Sequence, residues 1–190
     1  MQPPISAAAF DNSAMNAFAL SAPWVVRRLN LHDVESLLHL QTICYGDDFL
    51  ESREVFAHRL ACAHHCSIGA VREGEPALQA YLAAYWSNPG KVTPLNGVFS
   101  QPEPGEQVLY LHDMSVLPAW AGQGIARCLV QTLKAQARAR GVRQAALVSV
   151  QGSQAYWERQ GFQLATVHDA QQLQHLRTYG ADAMYMTAAL

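Results

Sequence analysis

The segment Leu111–Val130, LHDMSVLPAWAGQGIARCLV, constrains the fold more than any other stretch of the chain. It runs from a strand-like half through Pro118 into two glycines, Gly122 and Gly124, and then into an amphipathic helix that stops at Gly141. Glycine costs roughly 1 kcal/mol relative to alanine inside a helix. Two of them at a helix mouth therefore mark a backbone that must lie bare against something. The first turn of a helix has unsatisfied amides and a partial positive charge. A diphosphate there accepts several N–H bonds at once, and glycine removes the Cβ that would hold it off.

Two familiar phosphate-binding turns do not fit. A P-loop needs Lys followed by Ser or Thr after the second glycine, where Ile125-Ala126 stands. A dinucleotide-binding turn needs a third small residue at Arg127 and an acid about twenty residues on, and the strand QAALVSV offers none.

The chain has 190 residues, which points to one domain over 23–190 with a loosely ordered extension over 1–22. Half of its residues are hydrophobic, against disorder. A formal net charge of -2 and no basic run longer than Arg27-Arg28 exclude the electrostatic footprint of a nucleic-acid binder. No apolar run approaches the roughly 18 residues that span a bilayer, and the first 22 residues carry no secretory signal. A cytoplasmic protein without membrane partner is expected, its four cysteines reduced.

Periodicity predicts a strand at WVVRRL, then a helix with Val34, Leu37, Leu38, Gln41 and Cys44 on one stripe. Ser52 is expected to cap a second helix through about Ala63. Two strands follow around a turn at Glu73–Pro76. The proline-containing connection Asn88–Glu106 reads as a lid or binding loop with Phe99 as its apolar tip. QVLYLHDMSV is a fourth strand, VRQAALVSV a fifth and SQAYWERQ a short helix, and FQLATV and AMYMTAAL close the sheet as a hairpin-like pair. The cluster CAHHC, Cys62–Cys66, is too crowded to wrap a tetrahedral ion, so it reads as a helix end and no metal is expected. Asp47, Asp48 and Glu51 read as a solvated acidic turn, with attraction of a cationic amine as the alternative.

The stretch VLPAWAGQGIARCLV resembles motif A of the GNAT superfamily of acetyl-CoA-dependent N-acyltransferases, Gln/Arg-x-x-Gly-x-Gly/Ala. Gly124 and Ala126 match; Ala121 departs from the first slot. AYWERQGF, Ala155–Phe162, resembles the family's motif B, and YGADAMYM the closing strand of some members. The resemblance covers roughly Trp24–Leu190. It implies an α/β (α+β) fold: a mixed, mostly antiparallel sheet of about seven strands flanked by about four helices, in the order β-α-α-β-β-β-α-β-α-β-β.

The resemblance further implies that strands four and five splay at a β-bulge to admit the pantetheine arm. Backbone groups of Met114, Ser115 and Val116 would pair with it, and the amides of Gly122, Gln123, Gly124, Ile125, Ala126 and Arg127 would hold the pyrophosphate. Acetyl-CoA is then the acyl donor, attacked directly by an amine that must lose a proton. His112 is the first candidate for that proton, since imidazole titrates near neutrality. The segment YLHDMSV also resembles a strand of arylalkylamine N-acetyltransferases with His at this position. Asp113 is the rival base; alternation in an unbroken strand puts the two on opposite faces, so only one should enter the cleft unless the bulge rotates them. The motif B tyrosine that protonates the departing thiolate aligns with Trp157, with Tyr156 beside it; Trp157 would pack on the pantetheine arm or in the core. The acceptor implied is a small primary amine, with homodimerisation possible. A protein lysine or N-terminus, and a regulatory acyl-CoA-binding module without catalysis, are the alternatives.

Overall fold

The structure is a computed structural model that describes residues 24–190; the expected extension over 1–22 lies outside the described residues. The chain opens with β1 (Trp24–Arg28), whose Arg27 guanidinium grips the Asp33 carboxylate at 2.7 and 2.8 Å. Asn30 and Asp33 cap each other's backbone in a short 3-10 turn that leads into α1 (Val34–Tyr45). The buried stripe of α1 is Val34, Leu37, Leu40 and Gln41. Leu40 takes the place that Leu38 and Cys44 were expected to share, both of these being half-buried. Ser52 accepts from the Val55 N–H and so starts α2 (Arg53–Ala61), as its sequence predicts.

Strands β2 (Ile68–Arg72) and β3 (Leu78–Ser87) follow, and β3 is buried at all but one position. An unbroken apolar run of that kind belongs in mid-sheet with both faces covered. Next come β4 (Val108–Val116), α3 (Ile125–Ala139), β5 (Gln144–Ser149) and α4 (Gln154–Arg159). The chain ends with β6 (Gln163–Leu164), α5 (Ala170–Arg177) and β7 (Met184–Ala189). The seven strands lie in the order β1-β2-β3-β4-β5-β7-β6. Only the β4–β5 pair is parallel; all the others are antiparallel.

Two apolar clusters sit on the two faces of this sheet. Ile125, Leu129, Leu133 and Ala137 of α3 pack with Trp157 and Phe162 on one face. Leu37 and Leu40 of α1, with Phe56 and Leu60 of α2, pack against Tyr81, Tyr85 and Tyr110 on the other. The expected order needs one addition: α5 stands between the last two strands, giving five α-helices among the described residues. It is capped by Asp169, which accepts from the Gln172 N–H at 2.9 Å. The closing pair is correspondingly lopsided, because β6 has only two residues. CAHHC is the end of α2, where Cys62 caps the helix and His65 forms a lone bridge to Tyr85.

Candidate functional site

The site begins with a shift of one residue. Ala83 pairs with Asp113 and Ala84 with Leu111, so His112 is the extra residue of a β-bulge in β4. The bulge cancels alternation, and His112 and Asp113 border one cleft instead of opposite faces. The His112 side chain is 1% exposed although the residue is only half-buried, so what solvent reaches is its backbone.

Strands β4 and β5 part at the same place. They pair from Leu109–Ala145 to Leu111–Leu147 and no further, while each continues along its other neighbour. The Leu117 N–H donates to the Gln79 carbonyl at 3.0 Å, which fixes the side to which alternate peptide groups turn. Ser115 and Leu117 face β3, whereas Met114 and Val116 turn away from it, toward the wedge between β4 and β5. Two of these groups are also reached from α1: Tyr45 Oη lies 3.0 Å from the Met114 carbonyl, and Cys44 Sγ donates to the Val116 carbonyl at 3.4 Å.

Below the wedge lies the glycine turn. Gly122 and Gly124 have φ of 77° and 80°, the left-handed region that a side chain strains, and Gly124 caps α3. A Cβ on either would meet no atom within 4 Å. Intramolecular packing therefore does not require these glycines; backbone conformation does, and the space in front of them is open. The first intrahelical bond of α3 runs from Cys128 N–H to the Gly124 carbonyl at 2.9 Å. The amides of Ile125, Ala126 and Arg127 precede it and face no helical carbonyl. Together with Arg127 and Arg159 this turn lines a depression, and Gln123 is exposed beside it.

Tyr156 borders both the wedge cleft and this depression. Its hydroxyl is buried with no hydrogen-bond partner among the described residues. Burial pushes it up to about 12 against the opposing charges of Arg127 and Arg159, so it holds its proton at neutral pH. Trp157 is packed edge-to-face with Tyr156 at 5.0 Å and with Phe162 at 5.5 Å, and it shows the cleft only one side.

Behind His112 lies a buried ionic group that sequence reasoning missed. Glu51, read from sequence as part of a solvated turn, is 4% exposed. Gln41 Nε2 donates to its carbonyl at 2.6 Å, and its N–H donates to Gln41 Oε1 at 2.9 Å. Its carboxylate accepts from Arg59 Nη2 at 2.7 Å, from Arg59 Nη1, and from the Asn96 N–H at 2.9 Å. His112 Nε2 stands 3.1 and 3.3 Å from its two oxygens. Burial pushes the Glu51 carboxyl up, but the His112 ring and the Arg59 guanidinium outweigh it and hold it well below the usual carboxylate range. A carboxylate only accepts. Nε2 of His112 must then carry the hydrogen, which leaves Nδ1, a buried atom without a partner among the described residues, as the ring nitrogen able to take a proton.

Asp113 has different company. Tyr45 Oη donates to it at 2.6 Å and Tyr81 Oη donates to its other oxygen. Burial first and the Glu51 charge second push its carboxyl up, against the two hydroxyls. Glu51 and Asp113 therefore sit in one cleft with their proton affinities driven apart. One signal for this arrangement was available in the sequence. Arg59 falls on the buried stripe of α2 between Phe56 and Leu60, and a buried arginine demands a carboxylate.

The expected lid, Asn88–Glu106, is anchored instead of hinged. Phe99 is 3% exposed and stacks on Tyr85 with centroids 4.2 Å apart, 5.5 Å from His112, so it is a core residue and not an exposed tip. Asn88 Nδ2 donates to the carbonyls of Glu103 and Glu106, which pins the far end of the loop.

Residues 34–162 match the family model for the acetyltransferase (GNAT) family. No curated protein sequence matches the chain. Three solved structures share the fold at low identity. The ribosomal-protein-S18-alanine N-acetyltransferase from Escherichia coli is 18% identical, with 87% of this chain and 93% of that one covered at a TM-score of 0.63. NAA60 from Arabidopsis thaliana in complex with acetyl-CoA is 16% identical, with 88% and 98% covered at 0.64. PaiA N-acetyltransferase from Thermoplasma acidophilum in complex with coenzyme A is 12% identical, with 88% and 99% covered at 0.61. With a family match over two thirds of its length and a seven-stranded sheet of this topology, the chain belongs to the GNAT acetyltransferase family.

Proposed function

We propose that the protein transfers an acetyl group from acetyl-CoA to a small primary amine by direct attack within one ternary complex. The observation that carries this reading is the junction at Tyr156, where the β4–β5 wedge meets the depression in front of the glycine turn. Acetyl-CoA and coenzyme A in two of the structural neighbours support the choice of donor. The amides of Gly122–Arg127, with Arg127 and Arg159 beside them, suit a pyrophosphate. The peptide groups of Met114 and Val116 suit the amides of pantetheine, and the Met114 N–H suits the thioester carbonyl as a modest oxyanion donor.

The chemistry takes two protons from the acceptor nitrogen, one before attack and one after, and supplies one to sulfur. The ammonium of the acceptor gives its proton to His112 Nδ1, directly or through water, while Glu51 holds the ring by Nε2. The free amine then forms its C–N bond to the acetyl carbon, and the C–S bond breaks. Tyr156, which keeps its hydroxyl proton at neutral pH, gives it to the departing thiolate, and the resulting phenolate recovers a proton through water as the nitrogen loses its second one. Asp113 is the second carboxyl at the cleft; its side-chain partners among the described residues are two tyrosine hydroxyls, and in its ionised form it favours a positively charged acceptor.

Incubation of the purified protein with acetyl-CoA and a panel of amines, including a lysine peptide, tests this by release of the CoA thiol. Release with small amines above the peptide is expected. Silence across the panel with acetyl-CoA still raising the melting temperature would replace catalysis by a binding role. Silence without a shift would overturn the assignment of the glycine turn.

A further inference from the structure

Part of the connection between β3 and β4, Val92–Gly97, runs beside the cleft as a strap with Leu95 in the cleft lining, and both of its sides are tied. On one side Gln172 Oε1 accepts from the Val92 N–H at 2.8 Å, and Thr178 Oγ1 accepts from the Leu95 N–H at 2.9 Å. Tyr179 Oη donates to the Thr93 carbonyl at 2.8 Å, so α5 and the residues after it hold the strap along its length. On the other side the Asn96 N–H donates to Glu51, and Asn96 Oδ1 accepts from the Ser52 N–H at 2.8 Å. Arg59 Nε donates to the Gly97 carbonyl at 2.9 Å. Asn96 reaches both partners from a left-handed backbone, φ 55°, a conformation uncommon for a residue with a Cβ.

The strap thus joins the α1–α2 turn to the α5–β7 connection, the two flanks that border the cleft through Tyr45, Phe49 and Glu51 on one side and Tyr179 on the other. Leu95 of the strap itself lines the cleft between them. A polypeptide acceptor must place its terminal or lysine amine at His112 while the rest of its chain leaves the cleft, and bonded backbone joins the two flanks between which it would pass. We infer that the strap Val92–Gly97 is a specificity element that restricts the acceptor to small amines and excludes polypeptides, an inference that rests on the acyl-CoA reading of the site.

The test uses three ligands on the whole protein: CoA, CoA joined through an acetyl bridge to 2-phenylethylamine, and CoA joined in the same way to the N-terminus of a five-residue peptide. Each is titrated by calorimetry, so that no turnover is required. The small conjugate is expected to bind at least tenfold more tightly than CoA, and the peptide conjugate no more tightly than CoA. In Asn96→Gly/Gln172→Leu/Thr178→Val, which removes one bond from one side of the strap and two from the other without touching a cleft-lining residue, the peptide conjugate should gain at least tenfold and CoA should change less than threefold. A peptide conjugate that binds the native protein within threefold of the small one overturns the inference, whatever the variant does. A folded variant with no gain for the peptide conjugate also overturns it. Failure of CoA and both conjugates to bind marks a different fault, in the glycine-turn assignment, and removes the inference with it.

Discussion

Replacing Glu51 by glutamine keeps the shape of the side chain and removes its charge. The carboxylate takes two bonds from Arg59, one from the Asn96 N–H and one from His112, all at a site 2% exposed. An amide has one oxygen and turns an NH2 toward one of these donors, leaving Arg59 buried without its counter-charge. Removing one partner of a buried pair costs about 3–5 kcal/mol. At about 2–4 °C per kcal/mol for a domain of this size, the melting temperature should fall by about 6–20 °C at pH 7. The pH dependence is the sharper part. The folded carboxyl lies below its unfolded value, so its contribution is full above the unfolded value near about 4.3 and is lost as pH falls through the folded one. Each pH unit below about 4.3 takes roughly 1.4 kcal/mol from the native protein and nothing from the variant at this position. Urea unfolding of both proteins at pH 7, 5, 4 and 3 should show a stability gap that is constant down to about pH 5 and then narrows. A gap as wide at pH 3 as at pH 7 would refute the claim that the charge of Glu51 holds this corner together.

Three further outcomes follow from the site. Gly124→Glu puts a side chain on a backbone with φ of 80° and an anion at the pyrophosphate position; the fold should survive, since a Cβ there meets nothing, while acetyl-CoA ceases to raise the melting temperature. His112→Ala should depress turnover most at neutral pH and less at alkaline pH, where more amine is already free; an undiminished pH profile would remove His112 from the mechanism. Tyr156→Phe should lower kcat by about 10–100-fold with the KM for acetyl-CoA within about threefold, as expected of a general acid. That variant should melt no lower than the native protein, because it deletes a buried hydroxyl that has no partner among the described residues.

What could be read from the sequence was local. Ser52 as a cap, the buried run of β3 and the positive-φ glycines before α3 each announce themselves within a few residues. α5 did not, because AQQLQHLR offers only Leu173 and Leu176 to a stripe and buries Gln172, whose amide holds the strap. With α5 unread, the anchors of Asn88–Glu106 were invisible, and a proline-rich connection looked like a lid. Alternation put His112 and Asp113 on opposite faces, and a single inserted residue undoes that rule without leaving a mark in the composition. Glu51 sits next to two exposed acids in sequence, but its partners lie 8, 45 and 61 residues away, so its burial depends on how three other elements are laid over it.

The lone hydroxyl of Tyr156 has one more consequence. A thioester sulfur is a poor acceptor and so is a thiol, whereas the thiolate between them is a strong one, so the bond that Tyr156 lacks is made best while the C–S bond is breaking. On the proposed reaction the hydroxyl is idle toward both the loaded and the spent carrier and engages only the charge that develops on sulfur. Its bond then lowers the barrier, and neither substrate nor product is held back by it.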